Sequence, residues 1–272
     1  MRLIKIAFAL AVIAYIAGMG VFFAFQRSLL YYPTHTWVPL AEAHANAAYR
    51  EVSVTTEDGV ALKAWYAPAT TKPFTIVFFH GNADFIANAA QGGDAYIAAG
   101  YGFLAAEYRG YSGLPGKPTE KGLYADGRAY VQYLIGEGVD QGKIILFGQS
   151  LGTGVATEMA KEFRVGGLML LSPYLSIPKV AQVHYPIFPA GLLALDRYEN
   201  AKKIGSIHAP VLIANGTVDD IVPPAQGREL YSLANEPREF QSIPGRGHND
   251  INGDFLPVSL EWIGRVCGSP VL

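Results

Sequence analysis

Three residues of this chain have the types and the order that acyl chemistry on a serine needs: Ser150, Asp219 and His248. Ser150 sits in Gly148-Gln149-Ser150-Leu151-Gly152, straight after the apolar run 144–147 and just before the small residues that open a helix at Val155. A serine hydroxyl is a weak nucleophile at neutral pH, so it must be exposed on a sharp turn, beside a base and within reach of backbone N–H donors. Gly148 and Gly152 fit such a turn, because a Cβ at either place would clash where the flanking backbones approach. His248, in the Gly247-His248 loop, is the expected base. Asp219, in Gly216-x-x-Asp219, is the expected acid that fixes the imidazole tautomer and stabilises the imidazolium. The oxygen of a tetrahedral intermediate needs two backbone N–H groups, expected from Leu151 and from Asn82 in the loop after the preceding core strand.

The motif alone is weak in a chain with 30 glycines, so its context decides. Gly152-Thr153-Gly154 partly imitates a dinucleotide fingerprint, but Thr157 stands where its third glycine belongs. Asp220 is the alternative acid, although of two neighbouring loop residues only one can face the histidine. His35, His44, His184 and His208 fall in connector or cap regions with no placed carboxylate. His80 ends a core strand beside the site and reads as a loop-holding residue. No His, Asp and Glu set has zinc spacing, so neither a metal nor a cofactor is expected.

The elements that must position these residues follow from hydrophobic patterning. Two alternating stretches, 51–56 and 60–66, flank Glu57-Asp58-Gly59 and predict a hairpin of edge-type antiparallel strands. Continuous apolar strands are expected at 74–79, 103–106, 144–147, 165–171 and 210–214, with another at 238–243; helices are expected at about 85–99, 119–135 (capped by Thr119), 155–163, 224–234 and up to 266. Strands alternating with helices give an α/β fold with a mostly parallel central sheet and helices on both faces. Between about 173 and 208, Pro173, Pro178, Pro186 and Pro189 break the pattern into short apolar pieces, a small cap placed where ligands bind in open α/β sheets.

Residues 6 to 25 carry no charge, and about 20 apolar residues suffice to cross a bilayer as a helix. The run is longer than a signal-peptide core and lacks a small-x-small site after it, so it reads as an uncleaved anchor over 1–27, with a connector over 28–50 and the catalytic domain over 51–272. Arg2 and Lys5 precede the span and only Arg27 closely follows it, which predicts a cytoplasmic N-terminus and a catalytic domain on the far side, periplasmic in a bacterium. Tyr31 and Tyr32 can sit at the membrane interface or pack on the domain. With 21 Lys+Arg against 23 Asp+Glu, nothing points to a nucleic-acid partner. Cys267 is the single cysteine, so no intrachain disulfide can form.

From residue 51 onward the chain resembles the α/β-hydrolase superfamily. His80-Gly81-Asn82-Ala83, the run Glu107-Tyr108-Arg109-Gly110-Tyr111-Ser112-Gly113, the serine motif, Gly216-x-x-Asp219 and Gly247-His248-Asn249-Asp250 are similar to N-terminally membrane-anchored α/β-hydrolase-domain serine hydrolases. Some relatives in that group remove palmitoyl groups from protein cysteines. The resemblance implies a serine hydrolase with Ser150, Asp219 and His248 as triad and Asn82 with Leu151 as oxyanion hole. The expected substrate is an acyl ester or thioester, either a lipid or an acylated protein. Glu107 departs from the Asp that relatives often carry before the tyrosine, which puts a loop hydrogen bond in question. A non-catalytic scaffold, or a serine enzyme acting on a peptide or another bond, are the competing readings.

Overall fold

The computed structural model describes residues 1–43 and 45–268; His44 and the Cys267 side chain lie outside the described residues. Among these residues, eight strands form one sheet: β1 (Arg50–Thr55), β2 (Ala61–Ala67), β3 (Thr75–Phe79), β4 (Gly102–Ala106), β5 (Ile144–Gln149), β6 (Gly167–Leu171), β7 (Val211–Gly216) and β8 (Arg238–Ile243). Their spatial order is β1-β2-β4-β3-β5-β6-β7-β8. β1 and β2 pair antiparallel, β2 pairs antiparallel with β4, and every neighbour from β4 to β8 is parallel. The expected hairpin therefore forms, but only β1 is an edge. β2 is bonded on both sides, and the residues from Ala64 to Ala67 are all buried.

The parallel strands are apolar at nearly every position because both faces are covered. Side chains alternate between two layers. Ile76 and Phe78 of β3 pack with Ile86 and Ala90 of helix α2 (Ile86–Ala98) and with Phe255 and Trp262 of helix α9 (Asn252–Gly268). Val77 and Phe79 pack with Leu123 and Val131 of α3 (Glu120–Gly136) and with Val155 and Met159 of α4 (Leu151–Glu162). Removing one such side chain, as in Leu146→Ala, costs about 2–5 kcal/mol through lost transfer energy plus the cavity left behind. Thr119 caps α3 as expected, its hydroxyl accepting from Gly122 N–H at 3.0 Å.

Register sets the site. Phe79 pairs with Gly148, and Gly216 with Ile243, so the loops after β3, β5, β7 and β8 all leave the sheet at its carboxyl edge.

Two parts depart from the sequence expectation. The cap carries helix α5 (Ile177–His184) and the short α6 (Ala190–Leu193), followed by α7 (Asn200–Lys203). Pro178, read above as a breaker, stands in the first turn of α5, where a missing N–H costs nothing, and Ser176 caps it. The apolar N-terminal helix α1 runs from Arg2 to Leu30, past the end expected at residue 27. Its last turns continue because the cap satisfies them: Gln26 donates to Leu193 O and accepts from Leu195 N–H, and Arg27 pairs with Asp196 at 2.8 Å. After it, Tyr31 is buried with its hydroxyl 2.9 Å from that of Tyr198, whereas Tyr32 is exposed. Helix α8 (Pro224–Leu233) completes the packing.

Candidate active site

β5 delivers Ser150 onto a turn with φ 49° and ψ −116°, a strained conformation for a residue with a side chain, and α4 begins at the next residue. The strain is maintained by close packing. A Cβ on Gly148 would lie 2.5 Å from Gly152 O, and one on Gly152 only 1.9 Å from Phe79 O. Ser150 N–H is fixed at 2.9 Å to Leu171 O. Both glycines thus meet backbone directly, Gly148 within the elbow itself and Gly152 against the end of β3.

Ser150 Oγ lies 2.8 Å from Nε2 of His248, and Nδ1 of that ring lies 2.8 Å from Oδ2 of Asp219. The carboxylate can only accept, so Nδ1–H donates to it, which leaves Nε2 free to accept from the serine hydroxyl. Asp219 is itself held: Oδ1 accepts from Ile221 N–H at 3.0 Å and from Val222 N–H at 2.8 Å. Burial pushes this carboxyl up, but the hydrogen bond and charge of His248 together with the two backbone donors outweigh it, so it stays below the usual carboxylate range. Asp220, the alternative acid, is exposed, whereas Asp219 is the one bonded to His248. An arrangement of this kind can move a proton from a serine hydroxyl to an imidazole and back to a leaving group.

The loop after β3 lies against the elbow, since a Cβ on Gly81 would sit 3.5 Å from Ser150 Cβ. Leu151 opens α4, where the first N–H groups of a helix have no intrahelical partner and the dipole favours negative charge. Asn82 follows in the β3 loop, and its side chain is fully engaged elsewhere. Its Oδ1 accepts from Tyr111 Oη at 2.8 Å and from Tyr32 N–H at 2.9 Å, and its Nδ2 donates to Leu30 O.

Below this loop lies a buried network that the sequence reading reached only in part. His80 Nε2 is 2.8 Å from Glu107 Oε1, and Nδ1 is 2.8 Å from Gly81 O. Both partners are acceptors, so the doubly protonated ring satisfies both. Desolvation opposes that charge, but Glu107 overcomes it and raises the imidazole above its ordinary value. Glu107 also accepts from Tyr108 N–H, Ile86 N–H and the Ser112 hydroxyl. The departure at Glu107 therefore costs no loop contact, and its second oxygen ties the start of α2 to Ser112. Arg109, two residues on, bridges Asp126 of α3 at 2.7 Å and Asp58 of the β1–β2 turn at 2.6 Å. The signal for these roles was the run 107–113 itself, whose charged and aromatic residues are too dense for an idle loop.

Of the other histidines, His184 Nε2 donates to Ile221 O at 2.8 Å, and His35 and His208 are exposed. Among the described residues, no group of three His, Cys, Asp or Glu side chains is placed to hold a metal.

Comparison with known proteins places the chain in a family. The chain is 39% identical over 245 residues to the uncharacterized protein Rv2307c of Mycobacterium tuberculosis, covering 88% of this chain and 87% of the relative. It is 33% identical over 201 residues to the human alpha/beta hydrolase domain-containing protein 17B, covering 71% of this chain and 67% of the relative. The chain belongs to the α/β-hydrolase family. Residues 72–198 of this α/β hydrolase also match the family described as serine aminopeptidase, S33. Among solved structures, the Pyrococcus furiosus esterase Pf2001 superposes with a TM-score of 0.70 at 20% identity, covering 87% of this chain and 97% of the esterase. A puromycin-hydrolyzing peptidase of Mycobacterium tuberculosis superposes with a TM-score of 0.67 at 18% identity, covering 83% of this chain and 41% of the peptidase. These two likenesses concern the fold.

Proposed function

We propose that this α/β hydrolase is a membrane-anchored serine hydrolase that cleaves an acyl ester or thioester through an acyl-enzyme on Ser150. The observation that carries this reading is the hydrogen-bonded line from Ser150 Oγ through His248 to Asp219. In the first step His248 takes the Ser150 proton as Oγ attacks the acyl carbon. The N–H groups of Leu151 and Asn82 receive the oxyanion, and the imidazolium, held by Asp219, hands its proton to the departing alkoxide or thiolate. Water then repeats the sequence on the acyl-enzyme, with His248 as base, and releases a carboxylic acid and free Ser150.

The anchor assignment rests on α1, whose 29 residues, uncharged from 6 to 25, give a rod of about 43 Å against a hydrocarbon core of about 30 Å. Arg2 and Lys5, which precede the uncharged stretch, support a cytoplasmic N-terminus and a catalytic domain beyond the far leaflet. Persistence of the full-length mass in the carbonate-washed membrane fraction is the expected result; loss of the first twenty-odd residues would make the segment a signal peptide instead.

The experiment for the chemistry is labelling of the full chain by a serine-directed phosphonate, together with turnover of an ester panel. Ser150→Ala is expected to abolish labelling and to lower kcat by about 10⁴-fold or more. Unchanged turnover in Ser150→Ala ends the hydrolase mechanism, and a folded protein that neither labels nor turns over any ester is a scaffold. The match to a serine aminopeptidase family favours one second reading, an amide bond, and a peptide amide in the same panel separates it.

A further inference from the structure

An apolar groove of about 170 Å³ runs between the last turns of α1 and the cap. Phe22, Leu29 and Leu30 form one wall and Val180, Tyr185 and Phe188 the other, and the Phe22 ring packs 5.3 Å from Tyr185 and 5.2 Å from Phe188. Both walls are tied to the loops that flank Ser150. Leu30 O accepts from Asn82 in the β3 loop, and His184, also in the groove, donates to Ile221 O two residues past Asp219. At the far end, the Tyr15 hydroxyl donates to Ile187 O at 2.8 Å.

That last contact fixes a depth. Tyr15 lies ten residues before Phe25, about 15 Å along the helix, so if α1 crosses a core of about 30 Å the cap tip at Ile187 reaches towards its middle. The tip is built for such a place. No Asp, Glu, Lys or Arg occurs from Val180 to Leu195, and Val183, Ile187 and Leu192 are 55%, 75% and 85% exposed. Backbone at membrane depth must find its own partners. Pro186 and Pro189 have no N–H to satisfy, Pro186 O accepts from Gln182 Nε2, and the N–H groups of Tyr185, Phe188, Ala190, Leu192, Leu193 and Ala194 all bond within the cap. Arg27, the first charge after the span, is neutralised by Asp196 where the groove meets the domain.

We propose that this groove is an acyl-chain channel open to the leaflet, through which the chain of a lipid-resident ester or thioester enters sideways, between the protein's own anchor and its immersed cap. The proposal rests on the membrane-anchored serine hydrolase reading above. It makes α1 part of the substrate site and limits good substrates to those whose acyl chain is already in the bilayer.

The test uses the full chain in phosphatidylcholine vesicles, with Ser150-dependent turnover of a four-carbon and a sixteen-carbon acyl ester. Ala181, which also lines the groove, is replaced in Ala181→Phe to fill it. The ratio of kcat/KM for the long over the short ester is expected to fall at least tenfold, about 1.4 kcal/mol. An unchanged ratio in a variant that still turns over the short ester overturns the channel. Independently, Ile187→Trp, read against the unsubstituted protein's tryptophan signal, is expected to be quenched by lipids brominated at mid-chain. Absence of quenching overturns the immersed tip. If the unsubstituted protein shows no Ser150-dependent turnover of either ester, the hydrolase reading fails first and the channel with it, whereas quenching still reports the tip's contact with lipid.

Discussion

Asn82 joins the C-terminal end of α1 to the candidate oxyanion loop, and replacing it measures that connection. Its side chain makes three hydrogen bonds, with Leu30 O, Tyr32 N–H and the Tyr111 hydroxyl. At about 1 kcal/mol net each, and with Asn82 half-buried so that water replaces part of the loss, Asn82→Ala should cost about 1–2 kcal/mol of stability. The kinetic cost has a different ceiling. The backbone N–H of residue 82 survives the substitution, so what is lost is its aim, and a fully misplaced oxyanion donor costs about 10²–10³ in kcat. A loss of about 10- to 100-fold in kcat, with KM little changed, is therefore expected on a soluble short-chain ester, because the interaction is made only in the transition state. Tyr111→Phe removes one bond and should fall between Asn82→Ala and the unsubstituted protein. The assay is initial-rate kinetics with the thermal midpoint measured on the same samples. If Asn82→Ala keeps kcat within twofold while losing stability, the side chain merely fastens the connector, and the β3 loop is held by the His80–Glu107 network alone.

Asp219→Asn should leave the fold intact but present an amide N–H to His248 Nδ1, forcing the proton onto Nε2, and kcat should drop by about 10⁴-fold on the same ester assay. Gly152→Ala drives a Cβ to 1.9 Å from Phe79 O and should cost about 3 kcal/mol or prevent folding, whereas Gly264→Ala, in α9 with nothing within 4 Å, should stabilise by up to about 1 kcal/mol; urea midpoints compare the two. His80 gives a pH signature: its folded value is raised above the ordinary 6.5, so its contribution is complete below that value and is lost as pH rises through the folded one. The thermal midpoint should decline on the alkaline side, and Glu107→Gln should flatten that decline; an identical pH slope in both proteins would remove the charged pair from the account.

Much of this architecture was legible because its signals are local. The parallel strands announce themselves as short apolar runs, and the turn at Ser150 is written in two glycines that tolerate no Cβ. Asp219 and His248 are found by chain order, since the loops carrying them leave one sheet edge at a spacing set by the β7–β8 crossover. What escaped depends on partners far apart in sequence. Nothing around Asn82 says that its amide will meet Leu30 and Tyr32, fifty residues earlier. Pro178 reads as a break until the cap places it in a first helical turn. β2 reads as an edge because alternation is the same whether one or two neighbours bond to a strand. Glu107 looks like a departure only when side-chain length is considered without the fold, for its longer reach places both oxygens among His80, Ile86, Tyr108 and Ser112.

The end of α1 shows why the N-terminal helix and the hydrolase domain are hard to separate here. A free anchor would need only apolar residues and a polar exit. α1 instead carries Gln26 and Arg27 in its last turns, both satisfied by the cap, and is followed by a buried Tyr31 against Tyr198 and then a backbone held by Asn82. Tyr198 in turn fills the space beside Gly154 in the first turn of α4, where a Cβ would lie 2.4 Å from its ring. A continuous series of packed contacts thus runs from α1 to the helix behind Ser150. Moving α1 by even an ångström must displace the cap, Tyr198 or the Asn82 loop, because interiors at this packing density have no slack to absorb the shift. The position of α1 and the geometry of the candidate site are therefore one structural variable, and a perturbation of either should be read in both.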